Sequence, residues 1–157
     1  MTEQRTPEAN LAALGLALPP APTPAGSYVS AKQVGDIVYL SGVISADANG
    51  IITGSAGAGR TVEEGYAAAR ACALTLLAVL KRHLGSLDHV AEVVAVTGYV
   101  NAASGFADSP GVINGASDLL TQVFGETGRH VRVALGVSAV PRNALVEVQM
   151  TVRVTAA

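Results

Sequence analysis

Two charged residues, Arg132 and Glu147, occupy positions where the pattern of the chain calls for apolar side chains. Arg132 lies in His130-Val-Arg-Val-Ala-Leu-Gly-Val137, and Glu147 lies in Leu145-Val-Glu-Val-Gln-Met150. Both segments have the β-branched, alternating composition of strands. A guanidinium can hold a substrate carboxylate through two parallel hydrogen bonds, and a nearby carboxylate can handle the protons of a water molecule. The two residues are therefore candidates for a small-molecule site.

The placement of these two charges depends on how their strands pair. The pattern predicts long strands from His130 to Val140 and from Ala144 to Val154, joined by a short turn. If these strands form an antiparallel hairpin, Arg132 and Glu147 lie nearly equidistant from its centre and face each other. A structural ion pair, a solvated sheet face and a carboxylate-binding site all remain open on this evidence.

Motifs for other common chemistries are missing from the sequence. There is no phosphate-binding loop and no paired-cysteine site, and three scattered histidines (His83, His89, His130) lack ligand spacing, so we expect neither a metal nor a cofactor. The glycine-rich run from Gly54 to Gly59 lacks the dinucleotide spacing and is interpreted as a mobile loop. Cys72, among Ala and Leu in a helical pattern, is interpreted as a core residue.

Composition limits the class of partner. The chain has 157 residues, of which 50% are hydrophobic and 14% charged, and its formal net charge is -2. These values predict one domain without a nucleic-acid-binding surface, so the expected partners are a small molecule and further copies of the chain. The single cysteine and the absence of a signal-peptide pattern favour the cytoplasm. The most apolar stretch, Ala67 to Leu80, contains Arg70 and is too short to cross a membrane.

The N-terminal residues read as an appendage to the folded body. Thr6 with Pro7 indicates the start of a short helix that ends at Gly15. Four prolines between Leu18 and Ala25 then favour an extended arm. We therefore predict a helix and Pro-rich arm over residues 1–25 and a single folded domain over residues 26–157.

The body alternates strands with two helices. The long helix has a capping box of Thr61 and Glu64 and a stop signal at Gly85. A β-branched strand that follows it is predicted to be buried on both faces. The predicted elements of the body are strands Tyr28 to Val34 and Ile37 to Val43 around Gly35-Asp36, a turn at Asn49-Gly50 followed by strand Ile51 to Thr53, helix Thr61 to Leu84, strand Val90 to Val100 and helix Asp108 to Phe124, before the two long final strands. This order predicts an α+β fold with the helices packed on one face of the sheet.

Several segments resemble the YjgF-like reactive intermediate deaminase (Rid) family. The stretch from Arg132 through Val140-Pro141 to Val146-Glu147-Val148 is similar to the family's C-terminal signature, and Leu40-Ser41-Gly42 is similar to its second-strand Ser-Gly motif. Tyr28 stands where the family has an early aromatic residue. The resemblance runs from about Gly26 to Val154. It also covers Asn101, Gly105-Phe106 and Asn114, and it is greatest to the subgroup with the helix Val112-Ile-Asn-Gly-Ala-Ser-Asp-Leu-Leu120 and the strand Gly128-Arg-His-Val-Arg-Val133.

This resemblance implies a fold, an assembly and an activity. It implies a chorismate-mutase-like mixed sheet, a homotrimer with ligand sites in the clefts between subunits, and cofactor-free hydrolysis of enamine or imine intermediates to oxo acids and ammonia. Arg132 would clamp the substrate carboxylate and Glu147 would position or activate water. The residues that the resemblance implies as pocket walls are Tyr28, Ser41, Phe106 and Asn114.

Two alternative functions remain open. Ala134 stands where many deaminases of the family have cysteine, so a carboxylate-binding or sensor protein without turnover is the second hypothesis. A ribonuclease is the third and is disfavoured, because the chain has no basic stripe and only 4% aromatic residues to stack on bases.

Overall fold

The computed structural model describes residues 4–156 of the chain. The helices are α1 (Pro7–Ala13), α2 (Val62–Leu84) and α3 (Ser109–Phe124). The strands are β1 (Ala31–Val34), β2 (Ile37–Leu40), β3 (Val43–Ile44), β4 (Ala46–Asp47), β5 (Gly50–Ile51), β6 (Ser55–Ala56), β7 (Gly59–Arg60), β8 (Val90–Asn101), β9 (Val131–Val137) and β10 (Val146–Val154). The three predicted helices are confirmed, and several strands are shorter than predicted. No helix within the described range is both long and apolar enough to cross a membrane.

One mixed sheet organises the molecule. Its strand order is β1-β2-β10-β8-β9, and β3 also pairs with β10. The pairing of β8 with β9 is parallel, whereas β1 with β2, β2 with β10 and β10 with β8 are antiparallel. Helices α2 and α3 supply much of the core that covers one face of this sheet. The predicted α+β class with a mixed sheet is therefore confirmed.

The predicted hairpin of the last two strands is wrong, because β8 lies between β9 and β10. The chain runs from β8 through α3 into β9, and such a crossover places the two strands side by side and parallel. The chain then crosses the end of β8 to reach its other edge. Asn101 supports this crossing, since its side chain donates to Ala144 O and Asn143 Oδ1, each at 3.2 Å. Arg142 and Asn143 both take left-handed backbone conformations there, with φ of 59° and 57°.

Local capping explains where the helices begin and end. Thr61 and Glu64 form the predicted capping box of α2, and the helix ends at Gly85 with φ of 85°. The Asp108 side chain accepts from Gly111 N at the start of α3.

Cys72 is buried inside α2, and this burial raises the pKa of its thiol far above the ordinary value. The thiol is therefore a core group, as its sequence context predicts.

Only one face of β8 is buried within the single chain. Val93, Val96 and Val100 face the helices, whereas Val94 on the opposite face is exposed. The prediction that this strand is buried on both faces is therefore wrong for one copy of the chain. The physical reason is that the helices cover only one side of the sheet.

The N-terminal segment packs on the body from residue 6 onward. Thr6 caps α1 as predicted, and Leu11 is buried in the main hydrophobic cluster. Asn10 Nδ2 donates to Val123 O at 2.8 Å, and Glu8 Oε2 pairs with Lys81 Nζ at 2.9 Å. The domain boundary near residue 25 stays a prediction, but α1 shares its apolar cluster with the helices of the body.

Two glycines set the height of α3 above its neighbours. A Cβ at Gly115 would overlap the carbonyl oxygen of Tyr66 in α2, and a Cβ at Gly98 in β8 would overlap the side chain of Ile113. The helix therefore lies closer to both α2 and β8 than any larger residue would allow. Asn114 and Ser117 are carried on this same helix, so its height decides where their side chains lie.

We predict that Gly115→Ala destabilises the protein. The new methyl group would push α3 away from a rigid backbone atom, at a cost of about 3 kcal/mol, and the higher helix propensity of alanine would offset about 1 kcal/mol of this. Thermal unfolding measures the change, with Thr121→Ala at an exposed position of the same helix as the matched control. A variant that melts at or above the wild-type temperature would show that α2 and α3 are not in such close contact.

Candidate functional site

The guanidinium of Arg132 is held by three neutral oxygen atoms. Nη1 donates to Asn114 Oδ1 at 2.8 Å and to Ser117 Oγ at 3.1 Å, and Nη2 donates to the carbonyl oxygen of Pro110 at 3.2 Å. All three acceptors belong to α3, which lies over β9. The crossover from β8 through α3 to β9 therefore builds this arrangement, and the structure brings the predicted residues Arg132 and Asn114 together.

Arg132 has no acidic partner within the part of the chain that the structure describes. None of the ion pairs formed within residues 4–156 includes it. Two N–H groups of Arg132, the Nε–H and one Nη2–H, have no acceptor among residues 4–156. A partly buried guanidinium that is fixed by neutral acceptors and keeps two donors unused is suited to bind an anion.

Ser117 connects Arg132 to His130. Ser117 Oγ lies 2.8 Å from His130 Nε2, and His130 Nδ1 lies 2.7 Å from the carbonyl oxygen of Gly128. A carbonyl only accepts, so Nδ1 carries a proton and Nε2 of the neutral ring accepts the Ser117 hydroxyl proton. Burial lowers the pKa of His130, the bond to Gly128 O opposes this, and the charge of Arg132 adds to the lowering.

Sequence reasoning missed both of these neighbours. Both lie within the segments that resemble the family subgroup, but the sequence pattern assigns neither of them a role in the site. A usable signal was present: Ser117 follows Asn114 by three residues and so shares its helix face. His130 precedes Arg132 by two residues, the spacing of side chains on one face of a strand. Neither spacing has meaning until α3 is known to lie over β9.

Glu147 lies on the opposite face of the sheet. Its neighbours Val146 and Val148 are fully buried beneath the helices, so Glu147 points away from them. It pairs with Tyr99 in β8, whereas Arg132 pairs with Val96. Standard strand dimensions then place the two backbones roughly 14 Å apart. The predicted facing pair is therefore wrong, and in one chain the two residues form neither an ion pair nor a shared site.

The Glu147 carboxylate occupies a half-buried position beside Gly42. A Cβ at Gly42 would come within 2.7 Å of Glu147 Oε1, so a larger residue there would force this carboxylate to move. Within the described residues no donor hydrogen-bonds to the side-chain carboxylate of Glu147. Burial raises the pKa of the carboxyl, because nothing there stabilises its charge.

The predicted pocket residues Ser41 and Tyr28 lie on the same side of the molecule as Gly42. Ser41 Oγ donates to Val29 O at 2.6 Å, and Ser41 N donates to Ser30 O at 2.9 Å. These bonds tie the strand end before Gly42 to the segment that carries Tyr28, whose hydroxyl accepts from Ala25 N at 3.4 Å. Ser41 is thus a neighbour of Glu147 through Gly42, and its hydroxyl is already engaged.

Phe106 is the remaining predicted site residue. It lies between β8 and α3, partly buried against the core, and a Cβ at Gly57 would come within 3.1 Å of its ring. The six predicted residues therefore divide into Arg132 with Asn114, Glu147 with Ser41 and nearby Tyr28, and Phe106 apart. Among residues 4–156, no three His, Cys, Asp or Glu side chains gather in a way that could hold a metal ion.

Comparison with known proteins places these features in a family. The family model described as "YjgF/chorismate mutase-like, putative endoribonuclease" matches residues 8–154. Protein TCP17 of Trypanosoma cruzi is 47% identical over 146 residues, which cover 92% of this chain and 91% of that protein.

Two solved structures share the fold along nearly the whole chain. A "putative endoribonuclease" from Shewanella oneidensis MR-1 is 35% identical with a TM-score of 0.90, and the match covers 96% of this chain and 100% of that one. The protein Atu1372 of unknown function from Agrobacterium tumefaciens is 35% identical with a TM-score of 0.86, over 95% and 92% of the two chains. The narrower subgroup indicated by Val112 to Leu120 stays a prediction. The chain belongs to the YjgF/chorismate mutase-like family.

Proposed function

We propose that the protein hydrolyses small enamine or imine intermediates, of the 2-imino acid type, to oxo acids and ammonia. The observation that carries this proposal is the guanidinium of Arg132, which is held by three neutral oxygens and has no acidic partner among the described residues. Its two unused N–H groups suit a substrate carboxylate. The substrate class is therefore a small carboxylate with the reacting C=N bond next to it.

The reaction needs little beyond orientation and proton transfer. An enamine first becomes the imine as a proton moves from its nitrogen to its β-carbon. Water adds to the electrophilic imine carbon and gives a carbinolamine. Its nitrogen then gains a proton while its hydroxyl loses one, so the C–N bond breaks, ammonia leaves and the oxo acid remains. Fixing the carboxylate orients the C=N bond toward a placed water. A carboxyl with a raised pKa is able to accept a proton from this water and return it to the leaving nitrogen. Glu147 is our candidate for this role.

A complete site of this kind needs two copies of the chain. Arg132 lies on the edge strand β9, whereas Glu147 lies two strands away on the other face. That other face also exposes Val131, Val133 and Leu135, at 72%, 49% and 49% of their surface. Apolar exposure of this extent favours burial against another subunit. We therefore propose a homotrimer in which Arg132 and Asn114 of one copy approach Glu147 and Ser41 of the next.

A carboxylate-binding protein without turnover is the second candidate. The same Arg132 arrangement supports it, and Ala134, on the same face two residues further along β9, brings no thiol to the site. Turnover of a freshly generated 2-imino acid above its spontaneous hydrolysis separates the two. The endoribonuclease of the family description gains little support from a chain with net charge -2 and six aromatic residues, four Tyr and two Phe. Cleavage of a labelled RNA oligonucleotide tests it directly.

We expect Arg132→Lys to weaken carboxylate binding by about 1.5–3 kcal/mol, because lysine keeps the charge but loses the planar pair of donors. The melting temperature should change little, since no buried carboxylate loses a partner. Titration with pyruvate and turnover of a 2-imino acid measure the effect. Arg129→Lys is the matched control, because Arg129 is exposed and pairs with Glu126. Full binding and full turnover in Arg132→Lys would remove the basis of the proposal.

We expect Glu147→Gln to lower turnover at least tenfold and to raise the melting temperature at pH 7.5. The pKa of Glu147 is raised in the folded protein, so its ionised form opposes folding. This cost appears as the pH rises through the carboxyl's titration and is absent where the group is protonated in both states. The gain in melting temperature should therefore vanish near pH 4. Glu63→Gln, at an exposed position of α2, should leave turnover unchanged and should not raise the melting temperature, and a lower melting temperature for Glu147→Gln would point to a structural role.

A further inference from the structure

We propose that carboxylate binding at Arg132 is coupled to proton uptake by His130, with Ser117 as the connecting group. This inference rests on the proposed role of Arg132 as a carboxylate site, and it adds a regulatory residue to that site. The consequence is that the protein binds its carboxylate more tightly when His130 is protonated.

The three side chains form one directed chain of hydrogen bonds. Arg132 Nη1 donates to Ser117 Oγ at 3.1 Å, the Ser117 hydroxyl lies 2.8 Å from His130 Nε2, and His130 Nδ1 donates to Gly128 O at 2.7 Å. While the imidazole ring is neutral each role is fixed, because the guanidinium only donates and the Gly128 carbonyl only accepts. His130 is thus held with its free nitrogen toward the arginine site.

These hydrogen bonds hold Arg132 close to His130, and both side chains are able to carry a positive charge. Arg132 Nη1 and His130 Nε2 share one hydroxyl oxygen, so they are no more than about 6 Å apart. Protonation of Nε2 would place a second positive charge beside a guanidinium that has no acidic partner within residues 4–156. Ser117 tolerates this change, since a hydroxyl oxygen has two lone pairs and its proton is able to turn to the helix backbone.

A bound carboxylate changes the balance at His130. It would take the two unused donors of Arg132 and offset the positive charge that disfavours protonation of the ring. The charge of Arg132 already contributes to the lowered pKa of His130, after the larger effect of burial. Carboxylate binding should therefore raise the pKa of His130, and the same coupling must tighten carboxylate binding as the pH falls.

Other charged groups near His130 are engaged elsewhere. On α3, the Asp118 carboxylate accepts from Tyr66 Oη at 2.7 Å, on the side facing α2. On the segment before β9, Glu126 pairs with Arg129 in solvent. On β8, the residues opposite the start of β9 are Ala95 and Val96, which carry no charge. Arg132 is therefore the charged group that the hydrogen-bond chain links to His130.

The test titrates the full-length protein with pyruvate, which stays ionised throughout, at steps from pH 8 to pH 5. Imidazole NMR signals follow the protonation of His130 with and without pyruvate. We expect binding about threefold tighter at pH 5 than at pH 8, and a pKa of His130 that rises on binding by at least the logarithm of the same factor. His130→Gln keeps an acceptor for Ser117 but cannot take up a proton, so its affinity should not vary with this ionisation.

Two further variants identify the source of any pH dependence. His83→Gln is the matched control, because His83 is exposed and contacts Gln33 instead of the arginine site. It should behave as the wild type. Glu147→Gln removes the carboxyl that we propose to approach Arg132 from the next copy, and the threefold ratio between pH 5 and pH 8 should persist in it, whatever its affinity at either pH.

The possible failures are distinguishable. If pyruvate binds in an Arg132-dependent manner while the pKa of His130 stays the same, or if His130→Gln keeps the full pH dependence, the coupling is wrong and the carboxylate site stands. If the wild type does not bind pyruvate, or Arg132→Lys binds it equally well, both the coupling and the proposed function fail. The NMR titration needs no variant, so a destabilised His130→Gln would not prevent the decision.

Discussion

Strand β8 pairs with β9 along one edge, in parallel, and with β10 along the other, in antiparallel fashion. The parallel edge requires a crossover, and α3 is the helix that makes it. Because α3 then lies above β9, its polar residues Asn114 and Ser117 meet Arg132. The antiparallel edge carries Glu147 to the far side of β8 and to the other face of the sheet. The central position of β8 thus brings Arg132 together with Asn114 and Ser117, and it separates them from Glu147.

The energetic state of the two charges follows from this separation. An internal ion pair would neutralise Arg132 and Glu147 together, but β8 lies between them. Arg132 is held instead by dipoles that leave its charge intact, and Glu147 remains an ionisable group in a poorly solvated position. Partly buried charges without partners cost folding free energy. A cost of this kind is typical of residues retained for binding or catalysis, and it supports a site completed by a ligand and by a second subunit.

Close packing of α3 fixes the positions of the groups that hold Arg132. Gly115 lets α3 approach the backbone of α2 at Tyr66, and Gly98 leaves room on β8 for the Ile113 side chain of α3, so the acceptors for Arg132 sit on a helix with little freedom to shift. Gly42 has the matching role on the other face, where it leaves room for the Glu147 carboxylate. In each case the missing side chain positions a neighbour, which explains why residues without chemistry of their own bear on the site.

Local signals in the sequence determined the positions of the helices and the α+β class of the fold. The Thr6 cap, the Thr61 and Glu64 capping box and the helix start at Asp108 depend on residues a few positions apart, and apolar periodicity marks the faces that must be buried. The pattern also identified Arg132, and the family resemblance identified Asn114. The order of the strands could not be obtained in this way. The alternating residues of β9 and β10 are the same whether these two strands pair directly as a hairpin or lie on either side of β8. Pairing is settled by hydrogen bonds and burial between distant segments, and only that tertiary arrangement separated Arg132 from Glu147 and linked it, through Ser117, to His130.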